Sequence, residues 1–241
     1  MVLSLEIVPR SYESIATDLA ALKQYAAITS INIPDLTRFS LRSWEAAAQL
    51  RIKAPEYQYI PHIRACDFEK QEELCSIIPW LRAHSLMNVL VITGDPTPER
   101  RSAVQLIKRL KKEVPELHIY AGFDPYRAPI QKELEYLHEK EAAGAVGFFS
   151  QPFFDIRLLA LYAEYLEGKT IFWGIAPVLS PSSRHYWESR NRAIFPKHFQ
   201  PTLEWNWSLA RTILSFCANH TFHGYLMPIN VDVAAYLPGI F

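Results

Sequence analysis

NVLVITGD, residues 88–95, runs from Asn88 through four consecutive apolar residues and Thr93 to a Gly-Asp step. An apolar run of that length closed by a turn signal reads as a strand buried on both faces, the kind a parallel sheet contains. Seven similar runs lie along the chain, most of them roughly thirty residues apart: LSLEIV (3–8), AITSINI (27–33), YQYIPHIRAC (57–66), HIYAGF (118–123), GAVGFFSQPFF (144–154), TIFWGIAP (170–177) and HGYLMPI (223–229). Most end near a polar residue that opens a loop, namely Glu6, Asn32, Arg64, Asp95, Asp124 and Gln151. Helix-like stretches separate them. SYESIATDLAALKQYA carries Ile15, Leu19 and Leu22 near helical spacing behind the N-cap candidates Ser11 and Ser14, and PERRSAVQLIKRLKKEV repeats the pattern with Val104, Ile107 and Leu110. Eight strands alternating with helices predict an α/β fold, a closed (β/α)8 TIM barrel with its chemistry on the rim where the strands end.

One domain over residues 1–241 is expected, because no Pro-, Ser- or Gly-rich linker divides the chain. No uninterrupted apolar run approaches the roughly 18 residues of a membrane helix. The first apolar segment contains Glu6 and has neither a basic lead nor a small-residue cleavage site, so a cytoplasmic protein is expected rather than an exported one. With 25 basic and 25 acidic residues the formal charge is zero, which argues against nucleic acid as a partner. The run Lys108, Arg109, Lys111, Lys112 reads as the solvated face of an amphipathic helix. Cys66, Cys75 and Cys217 are odd in number and far from any CxxC spacing, as suits reduced thiols. His220 and His223 lack a nearby third ligand, so no metal is expected.

Glycine usage removes further classes. Only eight glycines occur, scattered singly, with no GxGxxG and no GxxxxGK[ST]. The loops PVLSPSSRHY and PINVDVA lack the Gly-rich phosphate cradle of many sugar-phosphate barrels, and no strand end supplies a Schiff-base lysine. Carboxylates and amides stand at the strand ends instead. Glu6 lies within an apolar run: it is either paired with an interior base such as Arg64 or His62, or it is a buried acid whose raised pKa suits proton donation near neutrality. Asp95 follows Gly94 and reads as a helix cap or, with Thr97 the nearer cap candidate, as a group facing the mouth. Gln151 interrupts an apolar strand with an amide that can both donate to and accept from a heterocycle edge. Asp155 reads as the N-cap of IRLLALYAEYL.

The ordered set SLEIVPR, PHIRACD, the GDP step after VLVIT, IYAGFDP, KEAAGAVGFFSQPFFD and GIAPV resembles the methylenetetrahydrofolate reductase family from residue 3 to about residue 180, with SQPFFD the sharpest member. That family consists of (β/α)8 barrels that use FAD and NADH or NADPH to reduce 5,10-methylenetetrahydrofolate to 5-methyltetrahydrofolate. The resemblance implies that Glu6 is the general acid, that Asp95 holds the pterin near the flavin and acts in catalysis, and that Gln151 contacts the folate. It places Asn32 and His62 at flavin-contacting positions and Lys140 near the cofactor's phosphates.

Departures from the family pattern concentrate around the flavin. Thr93 stands where an arginine is common, Phe123 and Arg127 where tyrosine and histidine follow strand five, Asn32 where threonine is usual, and LMPIN where a C-terminal arginine would approach the folate. Two outcomes follow: Arg127 and Lys140 take over the diphosphate charge, or FAD binds weakly or not at all. Phe148, Phe149, Phe153 and Phe154 read mostly as packing, as do Phe172 and Trp173. Trp187, Trp205 and Trp207 read as packing, or as a cover or interface for a partner protein or a second copy. The functional readings are a flavin-dependent reductase, a folate enzyme without tightly bound FAD, and a non-catalytic subunit of another one-carbon enzyme.

Overall fold

The computed structural model describes residues 1–68, 71–94 and 102–241. Eight strands, β1 (Leu3–Glu6), β2 (Ile28–Ile33), β3 (Gln58–Arg64), β4 (Asn88–Ile92), β5 (His118–Phe123), β6 (Ala145–Pro152), β7 (Ile171–Ile175) and β8 (His223–Leu226), pair in chain order. Every pairing is parallel, and β8 returns to β1 to close the barrel. All eight apolar runs are therefore strands.

The helices outside are α1 (Tyr12–Leu22), α2 (Ser43–Lys53), α3 (Gln71–Ala83), α4 (Ala103–Glu113), α5 (Ile130–Ala142), α6 (Ile156–Tyr165), α7 (Pro181–Asn191), α8 (Leu203–Asn219) and a short α9 (Val233–Tyr236). Their starts follow capping chemistry. Ser11 and Ser14 form a reciprocal capping box on α1, Ser102 caps α4 and Asp155 caps α6, each side-chain oxygen accepting a backbone N–H that the first turn leaves unpaired. The candidates Asp95 and Thr97 lie outside the described residues. No helix among those described is long and apolar enough to cross a membrane.

Strand alternation sorts the side chains into two layers. Leu5, Ile31, Ile63, Val91, Ala121, Phe148, Trp173 and Leu226 point outward and meet the buried stripes of the helices, such as Ile15, Leu19 and Leu22 of α1. The opposite parity fills the barrel, where Ile60, Leu90, Phe149, Phe172, Tyr225 and Met227 form a separate cluster.

Two helices, α7 and α8, separate β7 from β8, and Asn206 of α8 ties that helix to the end of β7. Asn206 is buried; its Oδ1 accepts from the Val178 N–H at 3.0 Å and its Nδ2 donates to Val178 O at 3.0 Å. Trp187 packs on Phe154 and Trp205 on Phe199, while the Trp207 indole N–H donates to Tyr236 O. The three tryptophans thus serve contacts within the chain.

Candidate active site

The inner wall is divided. The β4 to β8 sector is aromatic and aliphatic: Phe149 stacks on Phe172 at 4.1 Å, with Tyr120 and Tyr225 set edge-on to Phe149 at 5.2 and 5.1 Å. The β1 to β3 sector is polar, although barrel interiors are ordinarily filled by branched aliphatics. Asn32 is fully buried; its Nδ2 donates to Ser4 Oγ at 2.5 Å and its Oδ1 meets His62 Nε2 at 3.0 Å. With the amide so oriented, the Nε2 nitrogen of His62 carries the hydrogen. Burial drives the His62 pKa down to about 3, so the imidazole is neutral at physiological pH.

Glu6 ends β1 beside Asn32, its register partner. The Tyr225 phenol of β8 donates a hydrogen bond to Glu6 Oε2. Burial outweighs that bond and pushes the carboxyl up to about 7. Glu6 is therefore an acid that titrates near neutrality. Sequence reasoning did not single out Tyr225. Its signal was the inward parity of β8, which places Tyr225 two residues after His223, and the need of a buried phenol for a partner.

Polar contacts behind the rim hold this wall in place. Asp35 takes Arg42 through Nε at 3.1 Å and Nη2 at 2.5 Å, and also accepts the Ser43 N–H. Arg42 reaches on to Asp67 at 2.8 Å, and Ser43 Oγ donates to His62 O at 2.6 Å. The loop after β2 is thereby fixed to the end of β3, where Arg64 lies 3.3 Å from Cys66 Sγ. None of Asp35, Arg42 and Asp67 was anticipated.

Gln151 lies exposed at the rim end of β6. Phe149 pairs with Phe172 but Pro152 pairs with Gly174, so three steps on β6 face two on β7, a bulge centred on Ser150 and Gln151. Ser150 Oγ accepts the Gly174 N–H at 2.7 Å and takes the place of the missing ladder carbonyl. Glycine is required opposite: a Cβ at Gly174 would lie 2.5 Å from Ser150 O and 2.7 Å from Gln151 O. Gly174→Ala should destabilise the fold by about 1–3 kcal/mol through overpacking and displace Gln151. Denaturant melts check this, and an unperturbed variant would remove the bulge from the account.

The remaining expected residues divide between the rim and the core. Thr93 follows β4, is exposed, and its carbonyl accepts the Cys66 N–H. Asp95 lies outside the described residues. Phe123 requires a correction: it belongs to the outer parity of β5, is 1 % exposed, and packs on Phe153, Tyr162 and Trp173 behind the barrel. A side chain buried between sheet and helices has no face toward the mouth, so Phe123 is core.

Arg127 and Lys140 do come together, each about 4 Å from the centre of the Tyr136 ring. Fully buried Glu133 takes Arg127 through Nε at 3.0 Å and Nη2 at 2.5 Å, and also accepts the Asp124 N–H. Lys140 Nζ donates to Gly122 O, and burial lowers its pKa to about 8, which leaves it charged at neutrality. Glu133, Leu137 and Lys140 share the buried face of α5 at spacings of four and three, so this acid was legible as an inward charge but was not singled out.

Arg127, whose side chain is 42 % exposed on the rim, is chemically matched to a phosphate of a flavin dinucleotide, while Lys140 is 4 % exposed and adds its charge from behind the Tyr136 ring. Thr93, Asn32 and His62 continue the rim and inner wall toward Glu6. Phe123 takes no part.

A family model described as Methylenetetrahydrofolate reductase matches residues 15–206, a span that contains Asp95, Arg127, Lys140 and Gln151 and begins after Glu6. No curated protein matches the chain by sequence. Among solved structures, an uncharacterized protein from Clostridium thermocellum that binds two copies of 5-methyl-5,6,7,8-tetrahydrofolic acid is similar at a TM-score of 0.68 and 12% identity, over 99% of this chain and 93% of that one. Oxaloacetate acetylhydrolase is similar at 0.65 and 9%, over 98% and 78%, and 2,3-dimethylmalate lyase at 0.63 and 8%, over 99% and 78%. At these identities the likenesses establish the barrel alone.

Proposed function

The chain belongs to the methylenetetrahydrofolate reductase family, and on that premise we propose that it binds a reduced folate at the barrel mouth and reduces 5,10-methylenetetrahydrofolate to 5-methyltetrahydrofolate. The observation that carries this reading is the Glu6 carboxyl, pushed up to about 7 by burial at the end of β1. Protonated Glu6 gives its proton to a ring nitrogen of the methylene bridge. The C–N bond breaks with its electron pair on that nitrogen, and the bridge carbon becomes an iminium ready to accept hydride. Gln151 supplies an amide edge to the pterin, and Asp95 a carboxylate that orients it. Below the mouth the barrel is filled by Phe149 and Phe172, which keeps water from reaching Glu6 from beneath.

FAD, when bound, supplies the hydride and is recharged by NADH or NADPH. Arg127 would hold its diphosphate, with Lys140 adding charge from behind, Thr93 on the rim toward the ring, and Asn32 and His62 in the wall beneath it. A visible spectrum of the purified protein with FAD, then with each nicotinamide under anaerobic conditions, tests this arm. A flavin band that bleaches on reduction is expected, with affinity lowered about tenfold in Arg127→Gln. Equal affinity in that variant would remove Arg127 from the site. A second reading, a folate enzyme that holds no flavin, is favoured by the buried Glu133 carboxylate, which offsets one of the two cations. A colourless protein that still binds folate selects that reading.

A further inference from the structure

The geometry points to Tyr225 as the positioning residue of the proton donor: its phenol holds Glu6 Oε2 inside the barrel, so that the transferable proton sits on Oε1 at the mouth. This inference rests on the folate reading of Glu6 and adds a residue and a direction to it. Tyr225 is 3 % exposed, lies between Ser4 and Gly174 in the strand register, and is wedged edge-on against Phe149. Phe149 is in turn stacked on Phe172, so the phenol has a fixed place from which to donate.

A phenol whose ionisation is pushed well above its ordinary range by burial and by the neighbouring carboxylate keeps its hydrogen at any working pH. It therefore donates to Glu6 and does not accept. A donor fixed on one oxygen leaves the acidic hydrogen of the neutral carboxyl to the other oxygen. The same bond favours the carboxylate and holds the titration of Glu6 below the value that burial alone would give. Among the described residues, the other titratable groups on the inner wall are His62 and Arg64 of β3, Tyr120 of β5 and His223 of β8. The hydrogen bond that Glu6 receives comes from Tyr225, and Asn32 beside it is committed to Ser4 and His62.

Isotope-edited carboxyl infrared titration of Glu6 in the free protein tests this, with Glu6→Gln used to assign the band. Tyr225→Phe should raise the midpoint above that of the wild type by about threefold or more in proton affinity. Site-specific 3-fluorotyrosine at position 225, a stronger donor of almost the same shape, should lower it. The pH profile of folate turnover should move in the same direction in each variant. The fluorinated protein keeps the packing and tests the bond even where the phenylalanine variant folds poorly. An unchanged midpoint in the fluorinated protein would overturn the inference. A shifted midpoint supports it, and if Glu6→Gln then leaves folate turnover intact, the failure belongs to the reductase reading alone.

Discussion

Glu6→Gln is expected to depress turnover of a reduced folate by about a hundredfold or more, because the reaction loses its proton donor while the shape of the mouth is kept. Folate affinity should stay within a few fold, since Gln is isosteric and still accepts from Tyr225. Stability provides a second and independent readout. The folded-state value of Glu6 is about 7 against an ordinary 4.5, so its contribution is fully present below pH 4.5 and is lost as the pH rises through 7. At about 1.4 kcal/mol per unit, the loss reaches up to about 3 kcal/mol. His62 runs the opposite way: its folded value of about 3 lies below the ordinary 6.5, so its contribution is present above 6.5 and is lost as the pH falls through 3. The two slopes oppose one another between pH 4.5 and 6.5 in the wild type. In Glu6→Gln the Glu6 slope is gone, so the variant should gain stability relative to the wild type between pH 4.5 and 7. Denaturant melts at pH 4 and pH 8 measure this, and a difference that does not change with pH would mean that Glu6 is solvated and ordinary.

Glu133→Gln is the second large effect. Glu133 has no exposure and neutralises Arg127 directly and Lys140 through space, while Lys140 is only 4 % exposed. Removing one partner of a buried charge arrangement leaves the others uncompensated, at about 3 kcal/mol or more. Loss of the carboxylate also withdraws a charge that raises the Lys140 pKa, so that value should fall below the present 8 or so. Lys140 is charged in both proteins at low pH and neutral in both folded states well above pH 8. The part of the destabilisation that comes from Lys140 is therefore largest at low pH and fades as the pH rises through 8. Thermal melts from pH 6 to pH 9.5 should show the two proteins converging. A constant gap would assign the whole effect to the Arg127 contact.

The barrel was legible because its strands are bounded apolar runs at a repeating interval, and each observed strand falls inside one of those runs. Glu6 was legible for a related reason, since a carboxylate inside such a run has to be buried. Phe123 misled because alignment fixes a position on a strand but not its parity, and one residue separates the mouth from the helical layer. Tyr225, Ser4 and Asp35 were missed because their importance lies in contacts with strands or helices far along the chain. Tyr225 meets Glu6 across 219 positions, which becomes a contact only when β8 closes onto β1. The bulge at Ser150 and Gln151 was equally hidden, because it depends on Gly174 in the next strand.

The central claim is that Glu6 presents a proton to a folate bound over it, and calorimetric titration with 5-methyltetrahydrofolate in two buffers of different ionisation enthalpy tests it most directly. The Glu6 carboxyl titrates at about 7, and a ligand that seals the mouth raises its proton affinity further. Binding near that pH should therefore take up a fraction of a proton in the wild type and none in Glu6→Gln. Binding heats independent of buffer, or no binding at all, would contradict the claim.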